Sequence, residues 1–365
     1  MPRVGAPGLS LGTVSVRIRE SIEQLPPYRA GKPAPADAHK LSSNENPFPP
    51  LPGVIDAITV AAGRMNLYPI PDARPAREAI AQLHGVAPER VLVTHGSVMG
   101  LQQLISAVAG PGDEIVYAWR SFEAYPLLVQ MAGATSVQVP LRDDATHDLA
   151  AMASAITERT RAVIVCSPNN PTGTIVSQLE FDDFVARVPS DVLIMLDEAY
   201  IEFVREETVD GISAQAAHDN VVILRTFSKA YGLAGLRVGY MIGDERILAA
   251  ASNAVSPFAV DAIAQAAAVE ALDHGGELLA RTEDIGDRAA GIHRRLEQAG
   301  VSVPKPHGNF IWVATSAVQA KAVPGILERH GIVARQFPEG VRISIGLEDA
   351  DDQVVAAVTE ISEVA

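Results

Sequence analysis

From about residue 75 onward, short apolar runs alternate along the chain with segments of helical periodicity. Helical patterns such as SVMGLQQLISAVAG and SQLEFDDFVARV separate most of the runs. A strand buried on both faces loses the polar–apolar alternation of a half-exposed strand, and parallel strands need crossover helices. The pattern therefore predicts an α/β fold, in which helices cover both faces of a mostly parallel sheet. The predicted strands are VLVTH (91–95), EIVYA (114–118), RAVIVC (161–166), VLIMLDEA (192–199), VVILRTF (221–227) and VGYMIG (238–243).

The length of the chain, 365 residues, exceeds the size at which a single hydrophobic core keeps growing, so we expect two domains. Residues 1–52 are predicted to form a helix and a proline-rich arm, because the many prolines between Pro26 and Pro52 favour an extended segment. Residues 53–258 are predicted to form a large domain. The alternation of strand and helix patterns changes after residue 258. Residues 259–365 are therefore predicted to form a smaller α+β domain, against which the arm packs.

Charge and cysteine content limit the partners of the chain. A net charge of −15 repels phosphate backbones and anionic lipids, so we expect neither nucleic-acid nor membrane partners. No run approaches the ~18 apolar residues of a membrane-spanning helix, and the N-terminal stretch lacks the apolar core of a signal peptide. The single cysteine, Cys166, cannot form a disulfide within the chain. We therefore expect a cytoplasmic protein.

One lysine stands out by its position. Lys229 is the only lysine between Lys40 and Lys305, in a chain that otherwise uses arginine. Arginine stays protonated, whereas a lysine amine can lose its proton, attack a carbonyl and form a Schiff base. Lys229 follows directly on an apolar run, within LRTFSKAYGLAGLRVGY (224–240). Its position suggests covalent chemistry if suitable side chains lie nearby.

Polar residues follow four of the predicted strands, and ligands of open α/β sheets bind beyond the carboxyl ends of the strands. Each group alone has an ordinary interpretation as a turn, a helix start, a strand–helix cap or a solvated lysine. Four such groups at equivalent strand ends instead predict one functional site. The groups are Gly96-Ser97-Val98, the loop from Ser167 to Gly173 that contains Asn170, Asp197 to Tyr200, and Thr226 to Lys229.

These side chains together match the needs of an aromatic aldehyde cofactor with a phosphate group. Lys229 can form the Schiff base, Asp197 can bind a ring nitrogen, and Tyr200 and Asn170 can hydrogen-bond a ring oxygen. An anion site for the phosphate is available at a helix N-terminus, where backbone N–H groups point outward. The predicted members of that anion site are Gly96, Ser97, Val98, Thr226, Ser228 and Arg237.

The segments SPNNPTG, DEAY and TFSKAYGLAGLRVGY resemble those of fold-type I pyridoxal-phosphate aminotransferases. The resemblance runs from LSSNENPFPP to VRISIG and lies in the branch of histidinol-phosphate and aromatic amino acid aminotransferases. It implies pyridoxal 5'-phosphate as cofactor and a large domain with a seven-stranded sheet. It also implies that Lys229 binds the cofactor and that Arg237 holds its phosphate.

The same resemblance implies roles for residues elsewhere in the chain. Phe122 falls where an aromatic ring stacks on the cofactor. Tyr68 falls where a tyrosine reaches the phosphate of the neighbouring subunit, which implies a homodimer with shared active sites. Arg342 falls at the arginine that binds the substrate carboxylate, although strand alternation also allows it to be an exposed structural residue. Further positions that match the substrate pocket are Tyr28, Asn44, Asn309 and Arg335.

Two substrates compete within this branch. Histidinol phosphate carries a dianion that needs several cations, whereas an aromatic amino acid needs one arginine and an apolar slot. The segment WRSFE favours the aromatic subgroup, because Phe122 lacks a hydroxyl and Glu123 adds a negative charge that Arg120 could neutralise. We therefore predict a ping-pong aminotransferase that acts on aromatic L-amino acids and 2-oxo acids. The alternative is a histidinol-phosphate aminotransferase.

Other classes of protein lack their signatures in this sequence. A nicotinamide dehydrogenase needs a G-x-G-x-x-G turn after a strand, and a zinc hydrolase needs clustered ligands such as H-E-x-x-H. Neither motif occurs in the chain. A regulator without activity would need a fused DNA-binding module. Decarboxylation or elimination with the same cofactor stays open, although a carboxylate clamp at Arg342 favours transamination.

Overall fold

The computed structural model describes residues 16–25, 34–35 and 37–364. Its strands are β1 (His39–Leu41), β2 (Val91–Thr94), β3 (Glu114–Trp119), β4 (Thr135–Pro140), β5 (Thr160–Cys166), β6 (Leu193–Asp197), β7 (Val221–Thr226), β8 (Gly239–Ile242), β9 (Phe310–Ala314), β10 (Ile332–Phe337) and β11 (Gly340–Ser344). Its helices are α1 (Glu20–Glu23), α2 (Val54–Ala62), α3 (Arg74–His84), α4 (Ser97–Val108), α5 (Ala124–Ala132), α6 (Leu149–Ser154), α7 (Gln178–Val185), α8 (Gly211–Ala217), α9 (Glu245–Ser252), α10 (Ala262–Leu272), α11 (Gly275–Gln298), α12 (Ala317–Arg329) and α13 (Asp351–Ser362).

A seven-stranded sheet forms the centre of the fold, in the order β2-β8-β7-β6-β5-β3-β4. Neighbouring strands are parallel except at β8, which is antiparallel to both β2 and β7. The predicted α/β fold with a mostly parallel seven-stranded sheet is confirmed. The six apolar runs correspond to β2, β3 and β5 to β8. The seventh strand, β4, was not among them, because TSVQVP lies at the sheet edge and is only partly buried.

The continuous apolar runs reflect burial on both faces of this sheet. In β7, Val221 and Ile223 pack into the core on one face. Val222 and Leu224 pack into the core on the other face, which is shared with α4, α5 and α9. A strand covered on both sides has no polar face, so its sequence shows no alternation. The strand ends are therefore fixed rigidly between two helical layers.

A second sheet of four strands has the order β1-β10-β11-β9. β1 comes from the predicted arm and pairs in parallel with β10, while β11 lies between β10 and β9 and is antiparallel to both. The predicted helical stretch from 260 to 300 is divided into α10 and α11, with Asp273 and His274 between them. The domain limits at 52/53 and 258/259 stay a prediction.

Several helices begin at residues that satisfy their free N–H groups. α7 starts with a capping box, in which the Ser177 side chain accepts from the Glu180 N–H and the Glu180 carboxylate accepts from the Ser177 N–H. α12 uses Ser316 and Gln319 in the same way. Such local signals make the helix starts of this fold readable in the sequence. Among the described residues, no helix combines the length and the apolar character needed to cross a bilayer.

Candidate active site

The carboxyl ends of β5, β6 and β7 open into a cavity of about 240 Å³. Cys166, Asp197 and Thr226, which end these three strands, all line it. β10 and β11 of the second sheet close the opposite side through Arg335 and Arg342. The cavity brings together most of the residues predicted from the sequence. Those that line it are Ser97, Val98, Phe122, Asn170, Asp197, Tyr200, Thr226, Ser228, Lys229, Arg237, Arg335 and Arg342.

Asp197 places a buried carboxylate at one end of the cavity. Its Oδ2 accepts a 2.7 Å hydrogen bond from the Tyr125 hydroxyl, and its Oδ1 accepts a 3.3 Å bond from the Ala199 N–H. Burial raises the pKa of Asp197 to about 6, against the opposing effect of these two bonds. A carboxylate in this setting gains from a cationic N–H partner, because such a partner offsets the cost of burying its charge.

The amine of Lys229 is held by backbone carbonyls of the segment that follows β1. Nζ donates to the Ser43 carbonyl oxygen at 3.1 Å and to the Asn44 carbonyl oxygen at 3.3 Å. Burial, and next the nearby Arg342 charge, lower the pKa of Lys229 to about 7. A substantial fraction of this amine is therefore neutral near pH 7, as both nucleophilic attack and proton acceptance require.

Tyr200 directs a hydroxyl into the cavity from the loop after β6. Its oxygen accepts a 2.9 Å hydrogen bond from Asn44 Nδ2, so its own proton remains available to another acceptor. Burial raises the pKa of Tyr200 to about 12, so the hydroxyl keeps that proton at neutral pH. Asn44 is fully buried, and its Oδ1 accepts from the Ser344 hydroxyl of β11 at 2.9 Å. The predicted residue Asn309 supports it by donating to the Asn44 carbonyl at 3.1 Å.

A cationic cradle forms where α4 begins. Ser97 and Val98, in the first turn of α4, line the cavity together with Ser228 and Arg237. Gly96 has φ +76°, and a Cβ there would lie 2.7 Å from Arg237 Nη2. A Cβ on Gly239 would lie 2.6 Å from the Ser97 nitrogen. Glycine is therefore required at both positions for the guanidinium and the helix N-terminus to approach each other, an arrangement suited to a phosphate.

Arg342 is buried rather than exposed, which excludes the surface alternative for this residue. One of its N–H groups, on Nη1, donates to Asn170 Oδ1 at 2.6 Å, and Nη2 donates to the Ser42 carbonyl at 2.8 Å. These bonds fix the guanidinium between the two sheets at the cavity wall. A fixed, planar guanidinium beside a cavity is suited to bidentate recognition of a carboxylate.

The prediction that Arg120 neutralises Glu123 was wrong. Glu123 pairs with Arg335, whose Nε and Nη2 donate to its two oxygens at 3.0 and 2.9 Å. Arg120, which the sequence suggested for this task, instead pairs with Glu339 at 2.6 Å. The cause is topological: the loop after β3 meets both β10 and the turn after it, so two ion pairs form between residues distant in sequence.

Some predicted residues lie away from the cavity lining. Tyr68 is 83% exposed and stacks on Phe258, with ring centroids 4.7 Å apart. Asn44 and Asn309 support the lining from behind, and Gly96 lies next to it. Tyr28 lies outside the described residues.

Sequence reasoning missed other residues of the site. Tyr125 lies in the apolar pattern of α5, where a tyrosine is expected to be an ordinary residue of the hydrophobic core. Ser42 and Ser43 contribute backbone carbonyls, which no side-chain pattern reveals. Cys166 lines the cavity, and burial raises the pKa of its thiol to about 12, so it is not a nucleophile at neutral pH.

The donor set fits pyridoxal 5'-phosphate feature by feature. The cofactor has a ring nitrogen, a ring hydroxyl, an aldehyde and a phosphate, and the cavity offers a buried carboxylate, a tyrosine hydroxyl, a lysine amine and a cationic cradle. The glycines at 96 and 239 leave room that a Cβ would fill. Fold and cavity together define a pyridoxal-phosphate-dependent enzyme of fold type I.

Comparisons with known proteins place the chain within that class. The profile of the family described as aminotransferase class I and II matches residues 36–358. The aromatic amino acid aminotransferase of Streptomyces coelicolor is 47% identical over 347 residues, which cover 94% of this chain and 96% of that protein. The aromatic amino acid aminotransferase of Thermobifida fusca is 47% identical over 340 residues, which cover 92% and 94%.

A solved structure agrees with these relatives. The histidinol-phosphate aminotransferase of Sinorhizobium meliloti, in complex with pyridoxal-5'-phosphate, matches with a TM-score of 0.87 at 27% identity and covers 96% of this chain and 98% of that chain. The chain belongs to the class I and II aminotransferase family. Its cofactor is pyridoxal 5'-phosphate, as the sequence predicted.

Proposed function

We propose that the protein is an aromatic amino acid aminotransferase, which moves an amino group between an aromatic L-amino acid and a 2-oxo acid by a ping-pong mechanism. The observation that carries the proposal is that Lys229 and Arg342 face one cavity. Transamination needs a group that moves the Cα proton and a clamp that holds the substrate carboxylate in place. The names of the relatives at 47% identity support an aromatic substrate.

The cavity residues would hold the cofactor from four sides. Asp197 would bind the ring nitrogen, Tyr200 and Asn170 the ring oxygen, and Phe122 would pack on the ring. The cradle of Gly96, Ser97, Val98, Thr226, Ser228 and Arg237 would hold the phosphate. When bound, pyridoxal 5'-phosphate draws electrons from the substrate and makes its Cα proton acidic.

Lys229 has the properties of a proton carrier in this site. Because burial brings its pKa to about 7, its Nζ can accept a proton from the substrate Cα and release it again near neutral pH. The carbonyls of Ser43 and Asn44 hold the amine in place. We propose that Lys229 binds the cofactor before the substrate arrives and then moves this proton in both half-reactions.

Arg342 would orient the substrate. Its guanidinium would take the carboxylate, while Asn170 and the Ser42 carbonyl hold the arginine itself. An oriented carboxylate fixes which bond at Cα points to Lys229, and this favours proton transfer over loss of the carboxylate. The proposal places Asn44 and Arg335 around the same pocket, and Tyr28 as a further contributor.

The proposal also includes a homodimer with shared sites, in the cytoplasm. Tyr68 lies on the surface beside other exposed apolar side chains, including Met65 and Leu67. Tyr68 does not line the cavity of its own chain, and its exposed ring is accessible to a second subunit. The free, buried thiol of Cys166 is compatible with a reducing compartment.

A histidinol-phosphate aminotransferase is the second candidate, because the protein from Sinorhizobium meliloti has this activity in its name and the same fold. The decisive experiment compares kcat/KM for L-phenylalanine and L-histidinol phosphate with 2-oxoglutarate as co-substrate. We expect a preference for phenylalanine, and a preference of more than about tenfold for histidinol phosphate contradicts the proposal. The purified protein should show a visible absorbance band from bound cofactor, and Lys229→Ala should lack it.

A further inference from the structure

Two arginines stand side by side on one wall of the cavity. β10 and β11 are antiparallel, and Arg335 lies directly opposite Arg342 in their register. Residues directly opposite each other share a face of the sheet, where like charges repel. Both guanidinium groups line the cavity. The pair therefore needs a compensating negative charge.

Glu123 supplies this charge to Arg335. It accepts two parallel hydrogen bonds, from Nε at 3.0 Å and Nη2 at 2.9 Å. This bidentate geometry is the strongest form of an arginine–carboxylate contact. Glu123 is the N-cap residue of α5, yet its side chain makes no capping bond. Its carboxylate is thus directed to Arg335.

The other basic side chains that line the cavity in the described chain have tasks in the proposed reaction. Arg237 would hold the cofactor phosphate, Arg342 would bind the substrate carboxylate, and Lys229 would move the Cα proton. Arg335 is the remaining one, and both oxygens of Glu123 engage it. Histidinol phosphate carries its phosphate where an amino acid has its carboxylate, so the larger dianion would extend from Arg342 towards the neighbouring Arg335. There it would have to displace the Glu123 carboxylate and then lie beside it.

We propose that Glu123 determines substrate specificity by occupying Arg335, so that the cavity accepts a carboxylate at Arg342 and disfavours a larger phosphate dianion that would also reach Arg335. This inference rests on the proposed aromatic substrate, since it explains why a cavity with two neighbouring arginines on one wall would reject an amine that carries a phosphate. Specificity of this kind comes from a group that opposes the wrong substrate rather than from added contacts to the right one.

The test uses the holoenzyme of Glu123→Gln, which keeps the shape of the side chain and removes its charge. The matched control is Glu339→Gln, which removes the negative charge from the neighbouring Arg120–Glu339 ion pair. Neither Arg120 nor Glu339 lines the cavity. Two quantities are measured for each variant: the Kd of inorganic phosphate by calorimetry, and the ratio of kcat/KM for histidinol phosphate to that for phenylalanine.

Glu123→Gln should tighten phosphate binding and raise the kcat/KM ratio, each by about tenfold. Glu339→Gln should change neither quantity by more than about twofold. In the double variant Glu123→Gln/Arg335→Gln the gain should disappear, because it depends on the Arg335 charge. Circular dichroism establishes that each variant is folded, and Glu123→Asp, which keeps the charge, should stay close to the wild type in both quantities.

Three results would overturn the role of Glu123. The first is a folded Glu123→Gln variant with wild-type phosphate affinity and an unchanged ratio. The second is an equal shift in Glu339→Gln, which would indicate a general effect of surface charge. The third is a gain that persists without Arg335. A wild-type preference for histidinol phosphate contradicts the proposed substrate instead. In that case the Kd of inorganic phosphate in the wild type and the Glu123 variants still tests the role of Glu123.

Discussion

The hydroxyl of Tyr125 donates a 2.7 Å hydrogen bond to Oδ2 of Asp197, and both side chains are buried in the core. The bond stabilises the ionised carboxylate, while burial raises the pKa of Asp197 to about 6. Two opposing effects therefore set the charge of the residue that would bind the cofactor ring nitrogen. The Tyr125 hydrogen bond favours the ionised form of Asp197, and Tyr125 does not line the cavity, so we regard it as a positioning residue.

Tyr125→Phe should reduce kcat by about tenfold, or ~1.4 kcal/mol, because it removes a bond to the carboxylate. Without the bond, the pKa of Asp197 rises further, so the acidic limb of the pH–rate profile should move to higher pH. Tyr117→Phe is the control: Tyr117 packs edge-on against Tyr125 with centroids 5.7 Å apart, and its hydroxyl accepts from Gln138 instead. An acidic limb that stays in place in Tyr125→Phe would contradict this role.

Lys229 should make the stability of the cofactor-free protein depend on pH. Its pKa falls from an ordinary 10.5 to about 7, mainly through burial. Between these values the unfolded chain binds a proton that the folded chain lacks, so the free energy of unfolding rises with pH across this window. Lys229→Met lacks this contribution, so its stability relative to wild type should decrease by roughly 1–3 kcal/mol from pH 7 to pH 10.

Denaturant unfolding of both cofactor-free proteins at several pH values measures this difference. The control is Lys40→Met, since Lys40 is exposed and its amine pairs with Glu45 at 2.7 Å. Its difference from the wild type should stay nearly constant across the same pH range. A constant difference for Lys229→Met as well would show that the folded protein keeps this amine charged.

The sequence predicts the cavity well where strand ends determine it. Asp197 and Lys229 follow apolar runs, and parallel strands bring the ends of such runs to one edge of the sheet. The partner of Glu123 could not be predicted, because the approach of β10 to the loop after β3 depends on the packing of two sheets. Tyr125 was missed for a related reason: nothing in an apolar helix pattern tells which tyrosine meets a carboxylate.

Tyr68 offers a test of the shared site. If it reaches the cavity of a partner subunit, Tyr68→Ala and Lys229→Ala should each be impaired alone at limiting cofactor. A mixed dimer holds one intact site, built from Lys229 of one chain and Tyr68 of the other. Random reassembly should therefore restore about one quarter of wild-type activity. Mixing Lys229→Ala with Asp197→Ala is the control, because both residues line the same cavity and no intact site can form. Recovery that is equal in both mixtures, or absent from the first, would contradict a shared site.

Arg342 should matter most for substrates that carry a carboxylate. Its guanidinium is buried and held by Asn170 at 2.6 Å and the Ser42 carbonyl at 2.8 Å, so it is preorganised to bind an anion. Arg342→Gln should lower kcat/KM for L-phenylalanine by about 100-fold, or ~2.7 kcal/mol. The same change should lower kcat/KM for 2-phenylethylamine much less, because this amine has the ring without the carboxylate. Arg342→Lys should fall between wild type and Arg342→Gln for phenylalanine, since lysine keeps the charge but not the planar pair of donors. An equal loss for both substrates would instead mean that Arg342 supports the shape of the cavity through Asn170 rather than binding the substrate.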